Sequence, residues 1–310
     1  MTKTILCCGE ALIDFVPVAL REEGAGYRPC PGGSPYNVAR ALGRLDVPTG
    51  FLGGISADFF GETLVEGLRE SGVDTRWVER RRAPSTLGFV SLDTAEPDYA
   101  FYDAQAADRA WTNVPDETAL RDVGCLHFGS ISLIREPAAA AYETLLHREA
   151  RGARLVTFDP NIRPSLVVDE AAYRDRMARI LARADIVKIS AADLDWLHPG
   201  LAPDAVAERW LGQGAALVAV TFGERGVAGF ARGRRLSIDA IPTTVVDTVG
   251  AGDSFMAGLL AGLHDQGLLD RAGLDGADES ALAAALTLGQ RVASATCKRR
   301  GADAPRRAVL

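Results

Sequence analysis

Short apolar runs alternate with amphipathic segments along most of this 310-residue chain, and no other feature of the sequence limits the fold as strongly. Six runs are short, rich in β-branched residues and closed by Gly, Ser or Asp, as buried strands are: TILCCG, TGFLGGI, CLHFGS, RLVTFD, DIVKIS and ALVAVTFG. Helical patterns lie between them, such as GETLVEGLRESG, PAAAAYETLLHREARG, EAAYRDRMARILARA and a helix entered at Ser34-Pro35 with Ser34 as its N-cap. The alternation predicts an α/β fold with a mostly parallel sheet covered on both faces. No repeat or low-complexity linker interrupts it, so we expect one main domain over residues 1–310.

Two stretches, at about 12–30 and about 84–110, break the alternation. The first contains LIDFVPV, whose apolar residues have the period of two that is typical of a strand. The second contains TLGFVSLD and DYAFYDA, separated by the turn-forming TAEP. Neither stretch fits a strand–helix–strand unit. Together they predict a small β-sheet that stands off one edge of the main sheet, as a lid would.

Charge and cysteine content exclude several functional classes. The net charge is −7 and the pI is near 5.3, whereas nucleic-acid-binding proteins usually have the opposite balance. We interpret the basic runs at 80–82 and 298–300 as solvated faces or helix ends. Five cysteines without a CxxC spacing argue against a disulfide framework and a structural zinc site. The first residues, MTKTILCCGEALIDF, have the pattern of a strand rather than a signal peptide, and no apolar run reaches membrane length. We therefore expect a cytoplasmic protein with no nucleic-acid or membrane partner.

The segment DTVGAGDSF, at 247–255, places three small residues and an acid where an apolar helix begins. The backbone N–H groups of Gly250, Ala251 and Gly252 can face an anion there, and the helix dipole adds partial positive charge. A tight strand-to-helix turn, with Asp253 as a stabilising acid in the first helical turn, explains the segment equally well. No Walker A loop and no complete G-x-G-x-x-G fingerprint is present, so phosphate binding here needs other means.

Three further segments have functional and structural interpretations. In PGGSPYNVARAL, Gly32 and Gly33 permit close backbone approach, and Asn37 can bond a polyol hydroxyl or its own helix end. In VTFGERG, a turn after a strand can surround a phosphate tail or join a plain hairpin; its small and hydroxyl residues are Thr221, Gly223 and Gly226. In FDPNIRP, the residues after a strand lie where α/β ligands gather, or form a rigid loop that caps the next helix; the polar ones are Asp159, Asn161 and Arg163.

In this order and spacing, the four segments resemble the ribokinase/PfkB superfamily of carbohydrate kinases, over nearly the whole chain. DTVGAGDSFMAGL matches the carboxyl-terminal signature of that family, and GGSPYNVA matches the amino-terminal one. Farther along, Asp46 and Ser56 stand where the family usually has glycine. HFGSISLIREP, FDPNIRPSL and GGSP are most similar to the bacterial fructokinase branch.

The resemblance implies a doubly wound α/β domain whose β lid closes over a sugar. It assigns phosphoryl stabilisation to the anion hole of Gly250, Ala251 and Gly252, and proton abstraction to Asp253. It matches Arg163 to a residue near the substrates' phosphates. The remaining positions match sugar contacts at Asp14, Gly32, Gly33 and Asn37, and contacts with the ATP phosphates at Thr221, Gly223 and Gly226.

The metal site departs from the family's pattern. Where the family often has Asn-x-x-Glu to organise magnesium through water, the run KISAADLDWL offers Ser190 and Asp193. Asp193 keeps the charge with a shorter reach, so it is the candidate metal residue, acting through water. We expect Mg²⁺ with ATP, because metal must neutralise the phosphates. A monovalent cation such as K⁺ is a further candidate.

We therefore expect an ATP-dependent sugar kinase that makes fructose 6-phosphate and pairs through its lid as a homodimer. A 2-keto-3-deoxygluconate kinase is the alternative within the same class, because Arg163 could serve a carboxylate. From a different class, the chain could be a non-catalytic sugar-binding protein on the same fold. The intact GAGD argues against that alternative, and a nucleotide-dependent oxidoreductase lacks its fingerprint.

Overall fold

The computed structural model of the chain describes residues 3–20, 24–91 and 98–310. Within these residues the strands are β1 (Thr4–Cys8), β2 (Leu12–Leu20), β3 (Gly24–Gly32), β4 (Thr49–Ser56), β5 (Val78–Arg81), β6 (Thr86–Ser91), β7 (Asp98–Tyr102), β8 (Val123–Gly129), β9 (Leu155–Asp159), β10 (Ile186–Ser190), β11 (Leu217–Thr221), β12 (Val227–Ala231) and β13 (Arg234–Ile238). The α-helices are α1 (Ser34–Arg44), α2 (Phe59–Glu70), α3 (Ala138–Glu149), α4 (Glu170–Leu181), α5 (Ala191–Leu197), α6 (Pro203–Gln213), α7 (Ala251–Asp265), α8 (Arg271–Gly276) and α9 (Glu279–Cys297).

The main sheet has the order β13-β12-β11-β10-β9-β8-β1-β4-β5 over the described residues. From β11 to β5 every neighbouring pair is parallel, while β12 and β13 add an antiparallel hairpin at one edge. All six apolar runs singled out in the sequence are strands of this sheet, which confirms the mostly parallel α/β prediction. The order changes direction between β1 and β8, and such a switch point opens a crevice at the carboxyl ends of the strands.

Helices cover both faces of the main sheet and bury a separate apolar cluster on each face. One cluster packs α1, α2, α7 and α9 against the sheet, and the other packs α3, α4 and α6. Helices α7 and α9 lie unusually close, because a Cβ atom on Gly258 would stand 2.8 Å from the Cα of Gly289. This packing fixes the start of α7 relative to the sheet.

No helix in the described part of the chain combines the length and the apolar character that a membrane span requires.

A second sheet, with the order β3-β2-β6-β7, contains the period-two segments. Strands β2 and β3 form one antiparallel hairpin, β6 and β7 form another, and β2 pairs with β6 in parallel. We call this sheet the lid sheet. Its strands β2, β6 and β7 were predicted, β3 was not, and the TAEP turn lies outside the described residues. On one face, Leu12, Asp14 and Phe101 line a cavity; on the other, Phe15 stacks on Phe89 at 4.7 Å between ring centroids.

One local prediction was wrong. Helix α1 begins at Ser34 itself, and its N-cap is Gly33, which has a φ of 104° and no side chain to act as a cap. The Ser34 hydroxyl is therefore free to bond elsewhere. The basic run at 80–82 is a solvated face rather than a helix end, because Arg80 and Arg81 belong to strand β5 and both Arg80 and Arg82 are exposed. The run at 298–300 does follow the end of α9.

Candidate active site

A cavity of about 260 Å³ opens at the carboxyl ends of β1, β8 and β9, beneath the lid sheet. It lies at the switch point of the main sheet, where ligands of open α/β sheets typically bind. Polar side chains and small residues line most of it. The lining residues are Glu10, Leu12, Asp14, Gly33, Ser34, Asn37, Phe101, Ser130, Ile131, Asn161, Arg163, Thr248, Val249, Gly250, Gly252 and Asp253.

Asp253 is buried in the first turn of α7, and its carboxylate bonds to a different helix. Oδ1 accepts a hydrogen bond of 2.6 Å from the Ser34 hydroxyl, and Oδ2 accepts one of 2.9 Å from Nδ2 of Asn37. The N-cap of α7 is Gly250, and Asp253 makes no capping bond. Asp253 is thus an acid in the first helical turn, as expected, but the hydrogen bonds of its carboxylate link α7 to α1 and do not cap α7. Burial raises the pKa of Asp253, although the two hydrogen bonds act in the opposite direction.

The start of α7 has the free N–H groups that an anion requires. Gly250 has a φ of 75°, a left-handed conformation that glycine adopts without strain. The Ala251 N–H donates to the carbonyl of Thr248 at 3.1 Å, so Ala251 does not contribute a free donor as expected. Within the described residues, the N–H groups of Gly250 and Gly252 have no backbone acceptor. Two of the three expected donors thus remain available.

The segment at 301–304 packs against this helix start from outside. A Cβ atom on Gly250 would stand 2.4 Å from the Cβ of Ala302. The Gly301 N–H donates to the Asp247 carboxylate at 2.7 Å, and Arg44 of α1 pairs with Asp303 at 2.6 Å. The conformation of the loop before α7 therefore depends on residues far along the chain.

A buried ion pair lies below the helix start; the sequence indicated Asp159 as a polar residue on the ligand side of the sheet, but not Lys188 or the pairing of the two. Nζ of Lys188 on β10 donates to Oδ2 of Asp159 at 2.7 Å, with both side chains almost fully buried. Burial by itself would lower the pKa of Lys188, but Asp159 outweighs it and the pKa is raised, so the side chain is an ammonium. A charged residue inside the apolar run DIVKIS was the available signal, because such a residue must be paired.

Asp14 faces the cavity from the lid sheet between two glycines. A Cβ atom on Gly32 would lie 2.3 Å from Oδ2 of Asp14, and one on Gly88 would lie 2.8 Å from Oδ1. These glycines leave room for the carboxylate, to which no described residue donates a hydrogen bond. Burial raises the pKa of Asp14 to about 7, and the nearby Arg163 guanidinium only partly opposes it. Gly32 therefore shapes the site without lining the cavity itself.

Glu10 holds together two segments that border the cavity, and our sequence reasoning missed its role. Its carboxylate accepts hydrogen bonds from the N–H of Ser34 at 3.0 Å and from the N–H of Ser132 at 3.2 Å. Burial raises the pKa of Glu10 to about 7. Its position directly after the first buried strand was a signal for a role at this edge of the sheet.

Arg163 and Asn161, both on the loop after β9, reach the cavity together. Nη1 of Arg163 donates to Oδ1 of Asn161 at 2.8 Å, which leaves Nη2 without a hydrogen bond among the described residues. Nδ2 of Asn161 in turn lies 3.5 Å from Oδ1 of Asp253. Neither side chain makes a capping bond, because Arg163 precedes the short 3-10 turn Pro164–Leu166 without capping it through its side chain, and the N-cap of α4 is Asp169. The structure therefore favours the functional interpretation of this loop.

Thr221, Gly223 and Gly226 do not line this cavity. They form the turn of the β11–β12 hairpin, in which the Phe222 N–H donates to the Gly226 carbonyl at 2.8 Å. Thr221 ends β11 beside Ser190, the last residue of β10, so the turn shares the edge of the sheet that holds the cavity. The environment of Gly223 is open, with no atom within 4 Å of a Cβ position. The turn can therefore join the two strands of a hairpin and also contact a phosphate group.

The expected metal residue is partly engaged by the protein. Ser190 caps α5 by accepting from the Asp193 N–H, and Oδ1 of Asp193 accepts from the Ile162 N–H at 3.2 Å. Burial, with a further contribution from Asp159, raises the pKa of Asp193. No group of three or more metal-binding side chains occurs in residues 3–20, 24–91 and 98–310. A single carboxylate suits Mg²⁺ where phosphate oxygens supply the other ligands, because Mg²⁺ keeps several waters.

Comparison with known proteins identifies close relatives of the chain. The model of the pfkB family carbohydrate kinases matches residues 2–308. A fructokinase from Rhizobium leguminosarum bv. trifolii is 44% identical over 278 residues, which cover 90% of this chain and 85% of that protein. A probable fructokinase-3 from Arabidopsis thaliana is 34% identical over 309 residues, covering 96% and 87%. The crystal structure of a fructokinase from Xylella fastidiosa with bound ATP has a TM-score of 0.89 and 31% identity, covering 97% and 94%.

Proposed function

The chain belongs to the pfkB family of carbohydrate kinases, and from that premise we propose that it transfers the γ-phosphate of MgATP to the 6-hydroxyl of fructose. The products are fructose 6-phosphate and ADP. One observation carries the proposal: a buried carboxylate, Asp253, lies in the same cavity as the free N–H groups of Gly250 and Gly252. A proton acceptor and an anion site side by side are what phosphoryl transfer to a hydroxyl requires.

Asp253 acts as the general base. The sugar hydroxyl oxygen bonds to the γ-phosphorus as the bond from that phosphorus to the bridging oxygen breaks, and ADP leaves with the electron pair. The hydroxyl proton passes to the Asp253 carboxylate, which the hydroxyl of Ser34 and the amide of Asn37 hold in place. Meanwhile the N–H groups of Gly250 and Gly252 stabilise charge on the phosphoryl oxygens.

The sugar lies between the lid sheet and α1. Asp14 offers carboxylate oxygens that no described side chain occupies, and sugar hydroxyls donate to them. Oδ1 of Asn37 is buried without a hydrogen-bond partner, so it accepts from a further hydroxyl. Gly33 lets the sugar approach the backbone at the start of α1. Fructose supplies several hydroxyls, and each of these acceptors is costly to leave unpaired.

ATP extends from the cavity toward the β11–β12 turn. Thr221 and Gly223 contact its phosphates, and Gly226 shapes the turn, because a Cβ atom there would stand 2.2 Å from the carbonyl oxygen of Ile238. Asp193 would hold Mg²⁺ through water, and the metal would neutralise phosphate charge. Arg163 reaches the transferred phosphate with its free Nη2.

The lid sheet closes over the sugar and pairs with a second copy of the chain. Its outer face carries a cluster of aromatic residues, in which Tyr27 and Tyr102 each contact Phe89 and are 52% and 66% exposed. An aromatic sheet face left this open is typical of an interface. Hydrogen exchange in β2 and β6 that fructose leaves unchanged would contradict closure, and sedimentation showing only monomer would contradict pairing.

The proposed activity is tested by measuring ADP release with fructose, ribose, 2-keto-3-deoxygluconate and adenosine. We expect fructose to give the highest kcat/KM. A higher value for 2-keto-3-deoxygluconate would favour the alternative, in which the free Nη2 of Arg163 binds the substrate's carboxylate. Release of ADP with none of these substrates would contradict sugar phosphorylation by this site.

Replacing K⁺ by Na⁺ in the same assay tests the predicted monovalent cation. Fractionating the source cells tests the predicted cytoplasmic location.

A further inference from the structure

We propose that Lys188 is a catalytic residue, which stabilises the negative charge of the phosphoryl group during its transfer from beneath the first turn of α7. This inference rests on the proposed function, because it concerns the same phosphoryl transfer. Lys188 is 3% exposed and is the sole lysine between Lys3 and Lys298 in the sequence. A buried ammonium is costly to maintain, so its position deserves a physical explanation.

The ammonium lies directly against the expected anion hole. A Cβ atom on Gly252 would stand 2.9 Å from Nζ of Lys188. Gly252 also carries one of the free N–H groups at the start of α7. An anion bound by that N–H is therefore adjacent to a full positive charge, and not only to the partial charge of the helix dipole.

Lys188 also has donors to spare. An ammonium has three N–H groups, and within the described residues a single acceptor, Oδ2 of Asp159, is bonded to it. Oδ1 of Asp159 is buried and has no hydrogen-bond partner. A purely structural ion pair would be expected to satisfy its buried atoms, because unpaired ones reduce stability. The incomplete bonding of this pair points to a group that arrives with the substrate.

The surrounding charges require a cation at this point. Asp159, Asp193 and Asp253 all act electrostatically on Lys188, so three carboxyl groups cluster near the place where phosphate oxygens must bind. Without Lys188 these groups would repel the phosphoryl oxygens. With it, the charge on those oxygens is balanced as the bond to the bridging oxygen breaks. Lys188 transfers no proton, because the hydroxyl proton goes to Asp253.

The experiment compares two ways of removing the charge. Lys188→Met leaves Asp159 buried without a partner, whereas Lys188→Met combined with Asp159→Asn replaces both charges by neutral groups of similar size. The matched control is Arg154→Met with Glu149→Gln, a buried ion pair of the same 2.7 Å length at the opposite end of β9. For each variant, Tm, kcat and sugar KM are measured with the best sugar of the panel.

We expect Lys188→Met to lower both Tm and kcat, with kcat falling by about 10²–10³-fold, as for the loss of an oxyanion donor. In the double variant Tm should recover while kcat stays at least about 100-fold low, with sugar KM within about threefold of the parent. The control pair should change Tm but not kcat. A double variant whose kcat is within about threefold of the parent would overturn the proposal, because the pair would then be structural.

A second measurement separates this inference from the proposed function. Calorimetry gives the affinity of parent and double variant for ADP alone and for ADP with fluoroaluminate, which imitates the transferring phosphoryl group. We expect the double variant to lose affinity for the ADP–fluoroaluminate complex by at least about tenfold while binding ADP normally. Equal affinities would contradict the role of Lys188, even if no sugar of the panel were a substrate.

Discussion

The two ends of strand β9 each carry a buried ion pair, and the pairs differ in how completely they are bonded. At the amino end, Arg154 pairs with Glu149 at 2.7 Å, with 7% and 6% of the side chains exposed. At the carboxyl end, Lys188 pairs with Asp159 at 2.7 Å, with 4% and 1% exposed. Length and burial therefore do not distinguish the two.

Bonding to third groups does distinguish them. Arg154 also donates to the Glu117 carboxylate and to the Leu120 carbonyl, so its guanidinium is well satisfied by the protein. Lys188 has spare donors, and Oδ1 of Asp159 has no partner. At the amino end of β9, hydrogen bonds within the protein compensate for the desolvation of the ion pair. At the carboxyl end, this compensation is incomplete until a substrate binds. Burial alone therefore says little about function, while incomplete bonding says much more.

The largest expected effect concerns Asp253, in the first turn of α7, which borders the cavity at the carboxyl end of β9. Asp253→Asn keeps the shape of the side chain but removes the base, so we expect kcat to fall by about 10²–10⁴-fold with little change in Tm. Coupled ADP-release kinetics and thermal unfolding measure the two quantities. Wild-type turnover in this variant would exclude the proposed mechanism.

A capping aspartate provides the matched control for Asp253. Asp278 is the N-cap of α9 and accepts from the Ala281 N–H at 2.8 Å, far from the cavity. Asp278→Ala should lower Tm and leave kcat unchanged. If Asp278→Ala lowered kcat and Asp253→Asn lowered only Tm, the proposed roles of the two aspartates would be contradicted.

The amino end of β9 should respond in stability rather than in rate. Arg154→Met leaves buried Glu149 with Arg148 as its remaining ion-pair partner, so we expect a loss below the about 3–5 kcal/mol of unfolding free energy that removing a sole buried partner typically costs. At 25 °C we expect kcat to stay within about twofold of the parent. Denaturant unfolding and steady-state kinetics on one sample check both. A marked loss of kcat in the folded variant would remove the contrast between the two ends.

Acidification should weaken sugar binding through Asp14 while it strengthens the fold. The pKa of Asp14 is about 7, so below that pH its carboxyl is protonated and accepts hydroxyl hydrogen bonds less well. We expect sugar KM to rise as pH falls from 8 to 6, by at most about tenfold per unit. Asp14→Asn should bind sugar weakly at every pH, without this dependence. A KM that is flat with pH in the parent would contradict the role of Asp14.

The stability effect has the opposite sign for a simple reason. Asp14 and Glu10 have folded-state pKa values of about 7, well above their ordinary values. Between about pH 5 and 7 the folded chain therefore holds protons that the unfolded chain has released, and stability falls as pH rises. Tm should accordingly be higher at pH 5.5 than at pH 7.5.

The smallest effect is expected from Gly252→Ala. The added Cβ would meet Nζ of Lys188 at 2.9 Å, so the ammonium must shift by a few tenths of an ångström. We expect kcat to fall by about tenfold, since small displacements of positioned groups slow transfer. Gly276→Ala, a helical position with no atom within 4 Å of its Cβ, is the control. In the Lys188→Met background Gly252→Ala should have almost no further effect; a full additional loss would mean that Gly252 acts independently of Lys188.

Local patterns in the sequence predicted most of the strands and five helices, namely α1, α2, α3, α4 and α7, but not β5, α5, α6, α8 or α9. Buried strands such as TILCCG and DIVKIS are apolar throughout, and the lid strands have a period of two, so their type follows from composition and spacing. The strand β3 was missed because its residues, GAGYRPCPG, have neither signature. The order of strands in the sheet follows no local rule, and the resemblance to a family implied only a doubly wound domain with a β lid.

The site was predictable only where a motif carries the chemistry. Asp253 and the glycines before it stand in one segment, so a local pattern reveals them. No local pattern reveals the hydrogen-bond partners of Asp253, because Ser34 and Asn37 are separated from it by 219 and 216 residues in the chain. The pairing of Lys188 with Asp159 likewise depends on two strands becoming neighbours. Such contacts are properties of the topology, and a single sequence contains no separate signal for them.

Contact between the segment at 301–304 and the start of α7 has a consequence for the order of synthesis. The first strand, α1 and most of the main sheet leave the ribosome long before Ala302 and Asp303 do. Until those residues emerge, Gly250 lacks the packing of Ala302, Asp247 lacks the N–H of Gly301, and Arg44 lacks its ion pair. A nascent chain therefore gains its fold gradually, and the loop before α7 is completed only after residues 301–304 have emerged.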